Sequence, residues 1–215
     1  DLHSFPTRRS SDLQITMFCP HLSYEVAFHA VDTTQTYIIY EDKTFSVTTI
    51  PLEHRMPCCG FLFREKPSLP HIRRDMIDAF NIPVSQINNI KLGGGWITED
   101  GTELTHEQLV TPADSPKTYA YCSDTRYIPE LYQMIQGVDV LYHESTYAND
   151  QIVNAEKYFH STAEQAARVA HDAQVGRLYL GHYSSRYEDE NILLREAEAI
   201  FPNTYLSNER MVIDV

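Results

Sequence analysis

The sequence predicts an α/β layered fold. Three observations carry this. β-rich, partly alternating segments fill the early part of the chain. Short apolar runs of strand length follow them. Segments with helix caps then separate those runs in the second half, the pattern of strands joined by helices. Tyr24 to His29 (YEVAFH), Thr36 to Glu41 (TYIIYE) and Phe45 to Pro51 (FSVTTIP) read as strands. Asp42-Lys43 is short enough to close the last two into a hairpin. Cys59 to Phe63 (CGFLF) is a further strand. Tyr119 to Ser123 (YAYCS), Val138 to Ser145 (VDVLYHES) and Arg177 to Gly181 (RLYLG) are apolar enough to be buried strands. Pro129 opens a helix carrying Leu131, Met134 and Ile135. Ser161 and Glu164 form an S-x-x-E capping box ahead of Ala163, Ala166, Ala167, Val169 and Ala170, and Gly176 closes that segment. Asn191 to Ile200 is the last helix, stopped by Pro202.

Composition sets outer limits. The 215 residues suit one domain with a real core. Hydrophobic residues make up 42% and charged residues 22%, which argues against wholesale disorder. No stretch approaches the roughly 18 apolar residues of a membrane span, so no membrane association is expected. Nor does a basic-then-apolar signal open the chain. The cysteines, Cys19, Cys58, Cys59 and Cys122, contain no C-x-x-C pair, so a disulfide framework or a cysteine zinc finger is not expected and a cytoplasmic setting is. Residues 1–13 (DLHSFPTRRSSDL) have no helix or strand period and read as a non-native leader, with a disordered native tail as the alternative, leaving 14–215 as the globular part.

Charge is unevenly placed. The chain has 17 Lys plus Arg against 30 Asp plus Glu, a net of -13. Phe63 to Ile97 carries Arg64, Lys66, Arg73, Arg74 and Lys91 against Glu65, Asp75 and Asp78, and is interrupted by Pro67, Pro70, Pro83 and Gly93-Gly94-Gly95. This basic stretch reads as an insertion between strands. Charge alone leaves open a plain solvated helix around Arg73 to Ala79.

Three polar residues directly follow predicted strands. They are His54, Asp124 and His182. Strand ends in layered α/β folds fix position while their loops expose side chains. Two imidazoles and a carboxylate suit zinc or manganese, although spacing alone leaves open three unrelated residues. His160 precedes the Ser161 cap, where a helix N-terminus favours an anion and an imidazole can donate a proton to a leaving oxygen. Glu144 ends its strand where it can orient His160 or simply turn the chain.

Whole words then emerge in order: PLEH (51–54), GFLFREKP (60–67), CSDT (122–125), YHEST (142–146), HSTAEQAA (160–167) and GHYSSRY (181–187). From Gln14 to Val215 the chain resembles ribonuclease Z, the zinc-dependent endonucleases of the metallo-β-lactamase superfamily that trim the 3′ trailer from precursor tRNA. The resemblance implies an αβ/βα sandwich, here its later two thirds, with two zinc ions at one edge. It implies His54 as a ligand of one zinc, His182 of the other, and Asp124 as the bridge. It implies that His160 acts at the scissile phosphate, supported by Glu144. It also implies an arm over residues 63–97 that grips tRNA, with Arg64, Lys66, Arg73, Arg74, Lys91 and Arg186 as substrate contacts, and a homodimer. One feature departs from the family: its H-x-H-x-D-H motif is missing, and no H-x-H occurs anywhere. The expectation is an N-terminally truncated chain, inactive alone. Two other readings compete, a small-molecule phosphodiesterase or thioesterase on the same fold, and a non-catalytic RNA-binding or dimerisation module.

Overall fold

The computed structural model describes Met17 and residues 22–215. The expected leader, 1–13, lies outside them. The chain divides into two compact units, Asp1–Asp32 and Thr33–Val215. In the first, the strand expected at Tyr24 to His29 does not form, and all six residues are exposed. Alternation marks a segment for burial of one face, but a strand also needs a ladder neighbour, and this segment has none among the described residues.

The second unit is built on one seven-stranded sheet. Its strands are β1 (Ile38–Glu41), β2 (Phe45–Pro51), β3 (Cys59–Glu65), β8 (Thr118–Cys122), β9 (Val140–Glu144), β10 (Arg177–Gly181) and β11 (Thr204–Leu206), in the order β1-β2-β3-β8-β9-β10-β11. The first four are antiparallel neighbours and the last four are parallel. The β1–β2 turn is held by Asp42, whose carboxylate accepts from the Thr44 and Phe45 amides. Between the parallel strands run α4 (Leu131–Met134), α5 (Ile152–Tyr158), α6 (Ala163–Asp172) and α7 (Asn191–Glu198). Parallel strands need such crossovers, which is why the second half alternates.

Strand pairing sorts the side chains into two faces. Leu62, Ala120, Leu141 and Leu178 lie in register across β3, β8, β9 and β10 and join the core beneath α6 and α7. Small residues on α6 (Ala163, Ala166, Ala167, Ala170) allow a close approach to this row. On the opposite face Phe61, Tyr121, Tyr142, Tyr179 and Tyr205 form a continuous aromatic row over five strands. Ring centroids are 4.8 Å apart for Tyr121 and Tyr142, and 5.2 Å for Tyr179 and Tyr205. At Gly181 a Cβ would meet the far end of the Tyr142 side chain, which would have to shift to admit it. The observed layers are those of a metallo-β-lactamase fold, as predicted.

The insertion is longer than its basic stretch. It leaves the sheet after Glu65 and returns at Thr118. It holds β4 (His71–Ile72) paired with β7 (Val110–Thr111), β5 (Trp96–Ile97) paired with β6 (Glu103–Leu104), and the helices α1 (Arg74–Ala79), α2 (Val84–Lys91) and α3 (His106–Leu109). Ile82, Ile90, Leu104 and Leu109 give it a core of its own, with Trp96 and Phe80 packed against them. Residues 66–117 contain five basic and seven acidic side chains, so the excursion as a whole is slightly acidic.

One cap differs from expectation. The N-cap of α6 is Thr162, not Ser161, and its box partner is Gln165. Ser161 is occupied elsewhere: its amide donates to Glu144 and its hydroxyl to the Thr125 carbonyl. Among the described residues no helix is long and apolar enough to cross a membrane.

Candidate metal centre

The C-terminal ends of β8, β9 and β10 meet at one edge, and each delivers one polar side chain. Asp124 follows β8, Glu144 ends β9 and His182 follows β10. His54 arrives on the loop after β2, and His160 on the segment between α5 and α6. Asp124 and His182 both have left-handed backbone, with φ of 54° and 57°. Neither is glycine, so each carries a conformational cost that the surroundings must hold in place.

Glu144 organises this edge. It is fully buried. Its Oε1 accepts from the Thr125 amide at 2.8 Å and from His160 Nδ1 at 2.8 Å. Its Oε2 accepts from the Thr146 hydroxyl at 2.6 Å, the Ser161 amide at 3.1 Å and the Thr146 amide at 3.3 Å. Burial pushes this carboxyl up, but the hydrogen bonds from His160, Thr146 and Ser161 outweigh it and hold the group below its ordinary value. The same contact raises the pKa of His160.

The histidines are oriented alike. His54 Nδ1 lies 3.0 Å from the Phe159 carbonyl, which can only accept, so Nδ1 carries the hydrogen. Phe159 itself has φ of 62°, which turns that carbonyl toward the loop. His160 Nδ1 donates to Glu144. His182 Nδ1 lies 2.9 Å from the Thr146 hydroxyl, which is already donating to Glu144, so the ring donates here too. In His54 this leaves Nε2 as the lone-pair nitrogen, in His160 it leaves Nε2 able to take up or release a proton, and in His182 it leaves Nε2 facing Asp124. Fixing one ring nitrogen so that the other is free is how proteins prepare imidazoles for a metal. His182 Nε2 sits 3.0 Å from Asp124 Oδ1.

Two overlapping groups result. Ligand atoms of His54, Asp124 and His160 lie within 4.8 Å of one another, and so do those of Glu144, His160 and His182. The second is a closed hydrogen-bond cluster, because the Glu144 oxygens are already taken. The first, extended to His182 through its contact with Asp124, offers nitrogen lone pairs and an anionic oxygen. That donor chemistry fits zinc. His160 lies between His54 and His182, with centroid separations of 5.0 and 5.3 Å.

The cationic residues predicted to bind substrate are divided. Arg186 lies at this edge and lines a cavity of about 440 Å³ with His54, Arg55, Tyr147, Tyr158 and His160. Arg64 is on β3, Lys66 pairs with Glu41 at 2.9 Å, and Arg73 pairs with Asp75 at 2.6 Å. Arg73, Arg74 and Lys91 belong to the excursion. Sequence reasoning passed over Thr146, Thr125 and the Phe159 carbonyl. Thr146 closes the very YHEST word that drew attention to Glu144. Nothing in the sequence marks Phe159, because positive φ at a phenylalanine has no compositional sign.

The chain is similar to known proteins over most of its length. The profile described as "Beta-lactamase superfamily domain" matches residues 95–183. The protein named "Ribonuclease Z" from Bacteroides fragilis (strain YCH46) is 49% identical over 201 residues, covering 94% of this chain and 66% of its own length. That from Bacteroides thetaiotaomicron is 45% identical over 218 residues, covering 100% of this chain and 69% of its own. The chain thus spans about two thirds of the curated relatives it matches. Among solved structures, the metallo-beta-lactamase fold protein YhfI from Bacillus subtilis superposes with a TM-score of 0.53 at 16% identity, over 92% of this chain and 59% of that one, a likeness of fold.

Proposed function

The chain belongs to the ribonuclease Z family of the metallo-β-lactamase superfamily, and from that membership we propose that its edge cluster serves the endonucleolytic removal of a 3′ trailer from precursor tRNA. One observation supports this above the others. A buried carboxylate, Glu144, holds His160 by Nδ1, and His160 lines a cavity with His54.

In this reading His54, Asp124 and His182 would hold zinc. Zinc, when bound, supplies Lewis acidity toward a phosphodiester. The protein's residues do the rest. Glu144 fixes the tautomer of His160 and stabilises its charged form. His160 then holds a proton at Nε2 and delivers it to the departing 3′ oxygen of the ribose. Thr146 keeps His182 turned toward Asp124. Arg64, Arg74 and Lys91 add cationic contacts to RNA, and the working enzyme is a cytoplasmic homodimer.

The sequence has no H-x-H-x-D-H, so this chain by itself lacks part of the ligand set the reading requires and does not turn over. A chimera that adds to this chain the part of the Bacteroides fragilis relative that it does not cover tests this. It is expected to trim a precursor tRNA carrying a 3′ trailer, with zinc, while the chain alone does not. Cleavage of a small chromogenic phosphodiester with the tRNA left intact would sink this in favour of a small-molecule enzyme.

A further inference from the structure

We infer that Arg126 is a positioning residue that decides which ring nitrogen of His54 carries the hydrogen, and so whether that histidine is ready for a metal. The inference rests on the metal-site reading above and deepens it. Glu53 immediately precedes His54, and Arg126 stands two residues after Asp124. The two form an ion pair through Arg126 Nη2 and Glu53 Oε2. Their backbones are tied as well. The Arg126 amide donates to the Glu53 carbonyl at 2.9 Å, and the Glu53 amide donates to the Thr125 hydroxyl at 3.2 Å. The loop after β2 and the loop after β8 are thus joined side by side.

The same guanidinium reaches a third segment. Arg126 Cζ lies 5.6 Å from the centre of the Phe159 ring. Phe159 is the residue whose carbonyl faces His54 Nδ1 at 3.0 Å. Its φ of 62° is one that a phenylalanine rarely adopts, so the aim of that carbonyl needs outside support. The contacts close a circuit. His54 meets the Phe159 carbonyl, the Phe159 ring meets Arg126, Arg126 pairs with Glu53, and Glu53 returns to His54 through the chain. A planar guanidinium suits this post, because it can lie on a ring and donate to a carboxylate at the same time.

The circuit matters for geometry more than for global stability. The two paired side chains are 47% and 48% exposed, where an ion pair adds little to folding. The choice of a hydrogen between two ring nitrogens is itself a small energy difference, so a weak restraint is enough to decide it. Free imidazole in water prefers its hydrogen on Nε2. The Phe159 carbonyl reverses that preference in His54, and a displaced carbonyl would restore it. Nε2 of His54 would then hold a hydrogen where a metal ligand needs a lone pair.

The test is long-range proton–nitrogen NMR of the imidazole rings in the isotope-labelled chain. It is run about two pH units above the ordinary imidazole pKa, in EDTA so that no metal contributes. The signal lost in His54→Gln identifies the ring. His54 is expected in the Nδ1–H form. Arg126→Ala should lower the ratio of Nδ1–H to Nε2–H about five-fold, and so should Phe159→Leu, which keeps an apolar side chain but no aromatic face. The double variant should lose little more, because both changes break one circuit. Arg168→Ala breaks another exposed ion pair, with Glu164 on α6, and should change nothing. The urea midpoint of Arg126→Ala should stay at the wild-type value. An Nε2–H form in the wild-type chain, an unchanged ratio in Arg126→Ala, additive losses in the double variant, the same fall in Arg168→Ala, or a fall matched by a lower urea midpoint would each overturn the role. Trailer removal by the chimera is a separate readout, so either reading can fail without the other.

Discussion

Thr146 shows how much one hydroxyl can decide. It donates to Glu144 and accepts from His182, so the orientations of a proposed ligand and of the His160 partner share one oxygen. In the chimera, Thr146→Val should lower zinc affinity about 10–100-fold, read by competition with a chromophoric chelator, while Thr146→Ser should retain most of it. His160→Ala should lower kcat by about 10²–10⁴-fold with little change in zinc content; loss of the metal instead would make His160 a ligand. Much of this edge was legible beforehand. His54, Asp124 and His182 stand out because each follows an apolar run, and Glu144 because it ends one. The hydroxyl and carbonyl contacts were not legible. Apart from Thr146 with Glu144, two positions away, they join residues from 14 to 105 positions apart, and each is supplied by a residue type too common to signal itself.

At the scale of elements, period and caps located the strands and helices well, but neighbours decided the details. Ser161 has the better spacing on paper, yet Glu144 and Thr125 claim it, and Thr162 caps α6. Thr162→Ala should therefore cost about 1 kcal/mol of stability in urea unfolding. β9 contributes a pH effect through His143. This ring is fully buried, its Nε2 has no hydrogen-bond partner among the described residues, and burial lowers its pKa from the ordinary 6.5. The unfolded chain then takes up the proton first. Stability from this group is present above about pH 6.5 and lost as pH falls through the lower folded value. Comparing urea midpoints at pH 7.5 and 5.5 should show a decline that is smaller in His143→Leu; equal declines would remove His143 as the cause. Leu141, at the centre of the same sheet, should cost about 2–5 kcal/mol when replaced by alanine.

The whole molecule sets two kinds of interior side by side. The sheet and its helices form one core, and the excursion between β3 and β8 forms another. The sequence revealed the excursion through its prolines and glycines but not its extent, because β6, α3 and β7 are too short to leave a period. Its charge changed with its boundary: the basic part is real, but the acidic residues beyond Ile97 reverse the balance.

The chain's single tryptophan, Trp96, belongs to that second core, whereas tyrosines line the sheet. Emission excited at the indole band is consequently a private optical gauge of the excursion, blind to the body that carries it. During chemical denaturation, a colour shift that precedes the loss of circular dichroism would reveal an appendage melting on its own.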